Sequence, residues 1–176
     1  MKEQSEKTAH ALETALQMEK EGQEFYYKAE QKSTNPLTKN LFKHLAEQEI
    51  VHMKIINEIY QKISGTAGWP EAESTFKHEK SLRNVFQEAI DSMDKEVKAS
   101  SDEIEALQTA MNMEDKSYSY YNSRADEAVS TAEKSFYQAI MAEERGHYLA
   151  VLNSYEYLTD PQAWFMKEEH WSLDGA

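Results

Sequence analysis

One fixed offset relates two long stretches of this chain, and that repeat limits the fold more than any other feature. Adding 95 to a residue number carries Glu19 onto Glu114, Tyr26 onto Tyr121, Lys39 onto Lys134 and Phe42 onto Tyr137. The same shift carries Glu49 onto Glu144, His52 onto His147, Tyr60 onto Tyr155 and Ile63 onto Leu158. No gap is needed, and 30 residues separate Glu19 from Glu49 just as they separate Glu114 from Glu144. Core and polar positions repeat together, so a whole supersecondary unit has been duplicated. The two copies should then face each other across a pseudo-twofold axis.

Each copy reads as a helical hairpin. In the first, Ala11, Leu12, Ala15, Leu16, Met18, Phe25 and Tyr26 recur at three- and four-residue steps, predicting a helix over about 6–31. "STNPL" (33–37) is a turn in which Asn35 caps the next helix and Pro36 takes its first position. That helix runs to about Ile63, with Leu41, Phe42, Leu45, Ile55, Ile56, Ile59 and Ile63 on the buried side. "SGTAGWPEAES" (64–74) stops it with two glycines and a proline. The segment to about residue 101 reads as a crossover containing a short helix, "LRNVFQEAIDSMDKEV". The second hairpin follows: one helix from Ser101 or Asp102 to about Asp126, another opened by a Ser130–Glu133 capping box and ending near Thr159. "TDPQAWF" starts a short C-terminal helix with Asp160 as cap and Pro161 just inside.

The expected architecture is all-α: a single ferritin-like four-helix bundle over 1–176, made of hairpins 6–63 and 102–158, a crossover 64–101 and a C-terminal helix and tail 159–176. Only 5 glycines and 3 prolines interrupt the chain, which suits long helices.

Composition removes several functions. There is no cysteine, so disulfides, thiolate metal sites, iron–sulfur clusters and thiol nucleophiles are excluded. A net charge of −13 disfavours nucleic acid, which needs a basic face. No apolar run approaches a membrane span and no targeting segment is evident, so the expectation is a soluble cytoplasmic protein without a membrane partner.

Within the repeat, Glu49 stands three residues before His52, and Glu144 three before His147. Residues at that spacing lie one helical turn apart on neighbouring azimuths, so both side chains can reach one point. A carboxylate and an imidazole so placed can share a metal ion. Glu19 and Glu114, inside apolar stretches of the other two helices, add one carboxylate each. Four carboxylates and two imidazoles form the donor set of di-iron and di-manganese carboxylate bundles, and four negative charges balance two divalent ions. Without metal, such acids repel one another and take up protons. Tyr26 and Tyr121, seven residues after Glu19 and Glu114, are placed to donate to a ligand carboxylate and are candidates for a redox role. Glu143 and Gln48, four before the two histidines, are candidates to accept from a free ring N–H. His10, His44, His78 and His170 have neither a Glu three before nor a repeat partner, and are read as non-ligands. "WFMKEEHW" (164–171) is read as an aromatic latch over the bundle end or against a neighbouring subunit.

"ALQMEKEGQEFYYKA" (15–29) with "LFKHLAEQEIVH" (41–52), then "MNMEDKSYSYY" (111–121) with "FYQAIMAEERGH" (136–147), resemble a rubrerythrin-type member of the ferritin-like di-iron carboxylate superfamily that lacks a rubredoxin domain. The resemblance covers about 6–158. It implies Glu19, Glu49, His52, Glu114, Glu144 and His147 as ligands of two iron ions, with Glu49 and Glu144 bridging. Rubrerythrins proper carry a further carboxylate three residues after the third-helix ligand. Here Ser117 holds that position and Gly22 its repeat mate, so the six-residue set is closer to that of bacterioferritin. The activity implied is reduction of hydrogen peroxide or dioxygen, with electrons from an external donor protein because no C-x-x-C pair is present. A ferroxidase or iron-handling protein, a manganese catalase-like enzyme, and a structural bundle with adventitious zinc are the alternatives. A homodimer is the expected assembly.

Overall fold

The computed structural model describes residues 2–64, 69, 82, 86–88, 90 and 98–173, and of 2–5, 64 and 168–173 the backbone alone. Four long helices form the bundle: α1 (Lys2–Lys32), α2 (Pro36–Ser64), α3 (Ser101–Glu127) and α4 (Thr131–Thr159). A fifth, α5 (Pro161–Leu173), follows directly. Helix α1 begins four residues earlier than the apolar periodicity indicated, because the polar lead-in still satisfies its own backbone hydrogen bonds. Most of the crossover helix predicted over 82–97 lies outside the described residues, although Leu82, Phe86–Glu88 and Ile90 are helical. Among the described residues no helix is long and apolar enough to cross a membrane.

Helices α1 and α2 pack as one hairpin, α3 and α4 as the other, and the hairpins meet along α1–α3 and α2–α4. Glu19 faces Tyr121 while Tyr26 faces Glu114, so α1 and α3 run antiparallel. Two apolar clusters fill the interior on either side of a polar middle. One holds Leu12, Ala15, Ile55, Ile56, Ile59, Tyr121, Phe136, Tyr137 and Ile140. The other holds Tyr26, Leu41, Phe42, Leu45, Leu107, Ala110 and Val151. These clusters sequester the helix faces from water, which drives assembly and leaves a dry layer between them.

The turns explain how the hairpins are fixed. Asn35 Oδ1 accepts from Leu37 N–H at 2.9 Å and Thr38 N–H at 3.4 Å, capping α2 as the sequence indicated. Asp160 Oδ1 likewise caps α5 by accepting from Ala163 N–H at 3.0 Å. Ser130 caps α4, but the reciprocal half of the expected capping box is displaced. The Glu133 carboxylate accepts from Val129 N–H at 3.2 Å, one residue outside the cap. The full capping box lies instead at Ser100 and Glu103, which open α3. Glu103 reaches further, since its Oε1 also accepts from Thr34 N–H, Asn35 N–H and Thr38 Oγ1–H at 2.8, 2.8 and 2.9 Å. One buried carboxylate thus joins the α1–α2 turn to the start of α3. These contacts hold the Glu103 carboxyl below its ordinary value despite the opposing effect of burial.

Of the C-terminal stretch 164–171, Trp164 is packed inward while Phe165 and Met166 are exposed. Trp164 packs against Tyr157 at 5.4 Å and against Phe86 of the crossover at 5.5 Å, closing one side of the bundle.

Candidate metal centre

The polar middle of the bundle contains all six residues that the repeat singled out. Glu19 (2% exposed), Glu49 (3%), His52 (1%), Glu114 (1%), Glu144 (1%) and His147 (2%) project inward from α1, α2, α3 and α4. Each helix places them by simple periodicity. Glu49 and His52 share one face of α2, Glu144 and His147 share one face of α4, and the flanking apolar residues turn those faces inward.

Nδ1 of His52 sits 2.9 Å from Glu19 Oε2, 3.2 Å from Glu144 Oε1 and 3.4 Å from Glu49 Oε2. Nδ1 of His147 lies 3.5 Å from Glu114 Oε2 and 3.9 Å from Glu49 Oε1. The two imidazoles stack nearly parallel, with centroids 5.3 Å apart. Besides a group of His52, Glu143 and His147, two overlapping groups hold the six donors, Glu19–Glu49–His52–Glu144 and Glu49–Glu114–His147, each with ligand atoms within 4.8 Å of one another. Glu49 belongs to both, which is the position of a bridging carboxylate. Glu144 Oε1, the second expected bridge, falls in the His52 group alone.

Glu49 Oε2, Glu114 Oε2, Glu144 Oε1 and His147 Nδ1 are enclosed with no hydrogen-bond partner among the described residues. Buried acceptors left in this state cost about 1–3 kcal/mol each, more if charged, unless a cation takes them. Oxygen and imidazole donors of this kind suit iron, manganese or zinc. The residues therefore fit a pair of divalent ions.

Electrostatics carry the same message. Burial, and then the charge of Glu19, raise the Glu49 carboxyl well above its ordinary value. Burial and the charges of Glu19 and Glu114 do the same for Glu144. Burial also opposes ionisation of Glu19, but hydrogen bonds with Glu49 and His52, the His52 charge and Tyr121 outweigh it and lower this carboxyl to about 2. Burial would lower His52, yet the Glu144, Glu19 and Glu49 carboxylates close around its ring raise it. The raised Glu49 and Glu144 carboxyls and the raised His52 thus hold protons more tightly than free side chains do, as clustered donors deprived of water should.

Each tyrosine donates to one of the four carboxylates. Tyr26 donates to Glu114 Oε1 at 2.5 Å, and Tyr121 donates to Glu19 Oε1. Each phenol orients the carboxylate of the opposite hairpin, not the one seven residues earlier on its own helix. Burial, followed by the neighbouring carboxylate charge, raises both phenols, so they remain donors. Glu143 offers an oxygen within 4.8 Å of a ring nitrogen of both His52 and His147. Gln48 is half-buried, and no hydrogen bond joins it to either ring among the described residues. Gly22 is part of the wall: a Cβ there would lie 3.4 Å from the Glu49 carboxylate, so a longer side chain would displace that bridge. Its mate Ser117 is half-buried, leaving no extra carboxylate at either position.

His10 is exposed and His44 half-buried, and neither joins a donor group. His78 and the side chain of His170 lie outside the described residues.

No curated protein and no solved structure matches the chain. The family model described as Rubrerythrin does match, over residues 10–155, a span that takes in all six donors and both tyrosines. The chain accordingly belongs to the rubrerythrin family, a ferritin-like di-iron family.

Proposed function

We propose that this protein is a di-iron oxidoreductase that reduces hydrogen peroxide to water with electrons from an external donor. The observation that carries the reading is the pair of donor groups sharing Glu49 in a water-excluded layer. Glu19, Glu49, His52 and Glu144 would hold one ion, and Glu49, Glu114 and His147 the other. Two ferrous ions bound there would supply the two electrons that cleavage of a peroxide O–O bond consumes.

The chain's own contribution is positioning and proton control. Tyr121 and Tyr26 fix the outer carboxylates, Glu19 and Glu114, in one orientation, which keeps the donor geometry open on the inner side. Because Glu49 and Glu144 are raised, metal loading would compete with protons at these carboxyls, so binding would release protons and tighten as pH rises. The apolar clusters on either side limit water and confine small oxidants to the donor layer. The absence of cysteine means that this chain carries no rubredoxin-type iron, and a separate donor must restore the electrons.

The test is anaerobic loading with Fe(II), followed by rapid mixing with peroxide or with air while a near-ultraviolet diferric band is recorded. A peroxidase-type site oxidises much faster with peroxide and turns over repeatedly when a reductant is added. Equal rates with air, or iron released after one oxidation, would favour the iron-handling alternative.

A further inference from the structure

We propose that a cleft at one end of the bundle, between the start of α1, the end of α3 and the start of α4, binds a small oxyanion (a carboxylate or a phosphate) through Tyr137 and Arg124. It encloses about 560 Å³, within the range of small-molecule sites. Tyr137 lines it and is 1% exposed, and its hydroxyl is enclosed with no hydrogen-bond partner among the described residues. Burial and nearby Glu133 raise this phenol, so the orphan is a donor in need of an acceptor.

The duplication provides an internal control. Every residue lining the cleft has a mate 95 positions away, at the opposite end of the bundle. There the mates of Tyr120 and Tyr137 are Phe25 and Phe42, so the fold accepts rings without hydroxyls at both positions. Asp102, Glu103 and Glu105 at that end become Lys7, Thr8 and His10 here, and Ala29 becomes Arg124. Glu103 ties its end to the α1–α2 turn through Thr34, Asn35 and Thr38, while its mate Thr8 is too short to span this one. Relative to its repeat, this end has exchanged those three acids for Lys7, Thr8 and His10 and gained Arg124, while Glu127 and Glu133 stand where the other end has Lys32 and Thr38.

Two acids remain, and each is engaged. Glu127 is held by Arg124 Nη2 at 2.8 Å, and Glu133 accepts from Val129 N–H at 3.2 Å. Tyr120 donates to the Ala11 carbonyl at 2.7 Å and presents its ring beneath the Arg124 guanidinium, 5.7 Å from the centroid. That stacking holds the guanidinium plane, while Arg124 Nε is enclosed without a partner among the described residues. A planar fork with an open N–H beside a phenol O–H matches the geometry of a carboxylate or phosphate group. In a protein of net charge −13, such a place is where an anion would find donors.

The proposal is tested by isothermal titration of the metal-loaded full chain with sodium phosphate and, separately, sodium benzoate, at ionic strength held constant with chloride. Saturable binding of one or both is expected, and which anion binds identifies the source chemistry. Tyr137→Phe and Arg124→Ala install the residue types of Phe42 and Ala29. Each should weaken binding about tenfold, with metal content and the circular-dichroism melt unchanged. If neither anion binds saturably, or if both variants bind as tightly as the parent, the proposal is wrong. Two variants are used so that a folding defect in one leaves the other decisive.

Discussion

Replacing Glu49 with Gln should stabilise the metal-free protein while abolishing the site. Folding raises the Glu49 carboxyl well above 4.5, its value in the open chain. A group whose folded value is raised contributes fully only below its unfolded value, and that contribution fades as pH climbs towards the folded value. At pH 7 the gap from 4.5 is about 2.5 pH units, and at about 1.36 kcal/mol per unit the ceiling on the cost is about 3 kcal/mol. Gln removes that cost, because its amide is neutral at every pH and can donate to Glu19. His52 keeps Glu19 at 2.9 Å and Glu144 at 3.2 Å. The expected gain at pH 7 is up to about 3 kcal/mol, or up to about 10 °C in melting temperature for a chain of this size. It should shrink below about 1 kcal/mol at pH 5. The assay is thermal melting by circular dichroism of chelator-treated protein from pH 5 to 8, with and without added divalent metal. The parent should gain from metal and the variant should not. A variant less stable than the parent at pH 7, or a difference independent of pH, would refute the account of buried carboxylates held apart from their cations.

Further tests address the supports of the site. Tyr121→Phe should leave the fold intact but lower metal affinity about 10–100-fold, since Glu19 loses the donor that orients it, and a competition titration reads this directly. Glu103→Ala strands the turn N–H groups of Thr34 and Asn35 and should cost roughly 2–4 kcal/mol in urea unfolding, with metal stoichiometry unchanged. Because Glu103 is held below its ordinary value, its contribution is present above pH 4.5 and lost on acidification, so the penalty of the variant should shrink at low pH. His44→Gln should leave metal content by elemental analysis at the parent level, as His44 joins no donor group.

The sequence made the six donors legible because the same spacing occurred twice with core positions in register. The tyrosines show the limit of such reading. Spacing indicated that Tyr121 could reach a ligand carboxylate without saying which, and antiparallel packing of α1 on α3 makes it Glu19. Only the crossing of the two copies determines that choice. Glu103 was equally hidden. Its local role as the N3 residue of a capping box is common, whereas its contacts with Thr34 and Thr38 span more than 60 residues and have no periodic signature. At Ser130 the box motif was visible, yet the Glu133 carboxylate bonded one residue away, because side-chain reach and turn shape decide between adjacent N–H groups. The open end of the bundle needed both kinds of information: the fold to show the cleft, and the repeat to show what its other end looks like.

The most direct test of the central claim is anomalous diffraction at the iron edge from crystals loaded with Fe(II) without oxygen. The account predicts two peaks about 3.5–4 Å apart, with the Glu49 carboxylate between them and His52 Nδ1 and His147 Nδ1 on separate ions. A single peak, or iron bound away from these six residues, would contradict it.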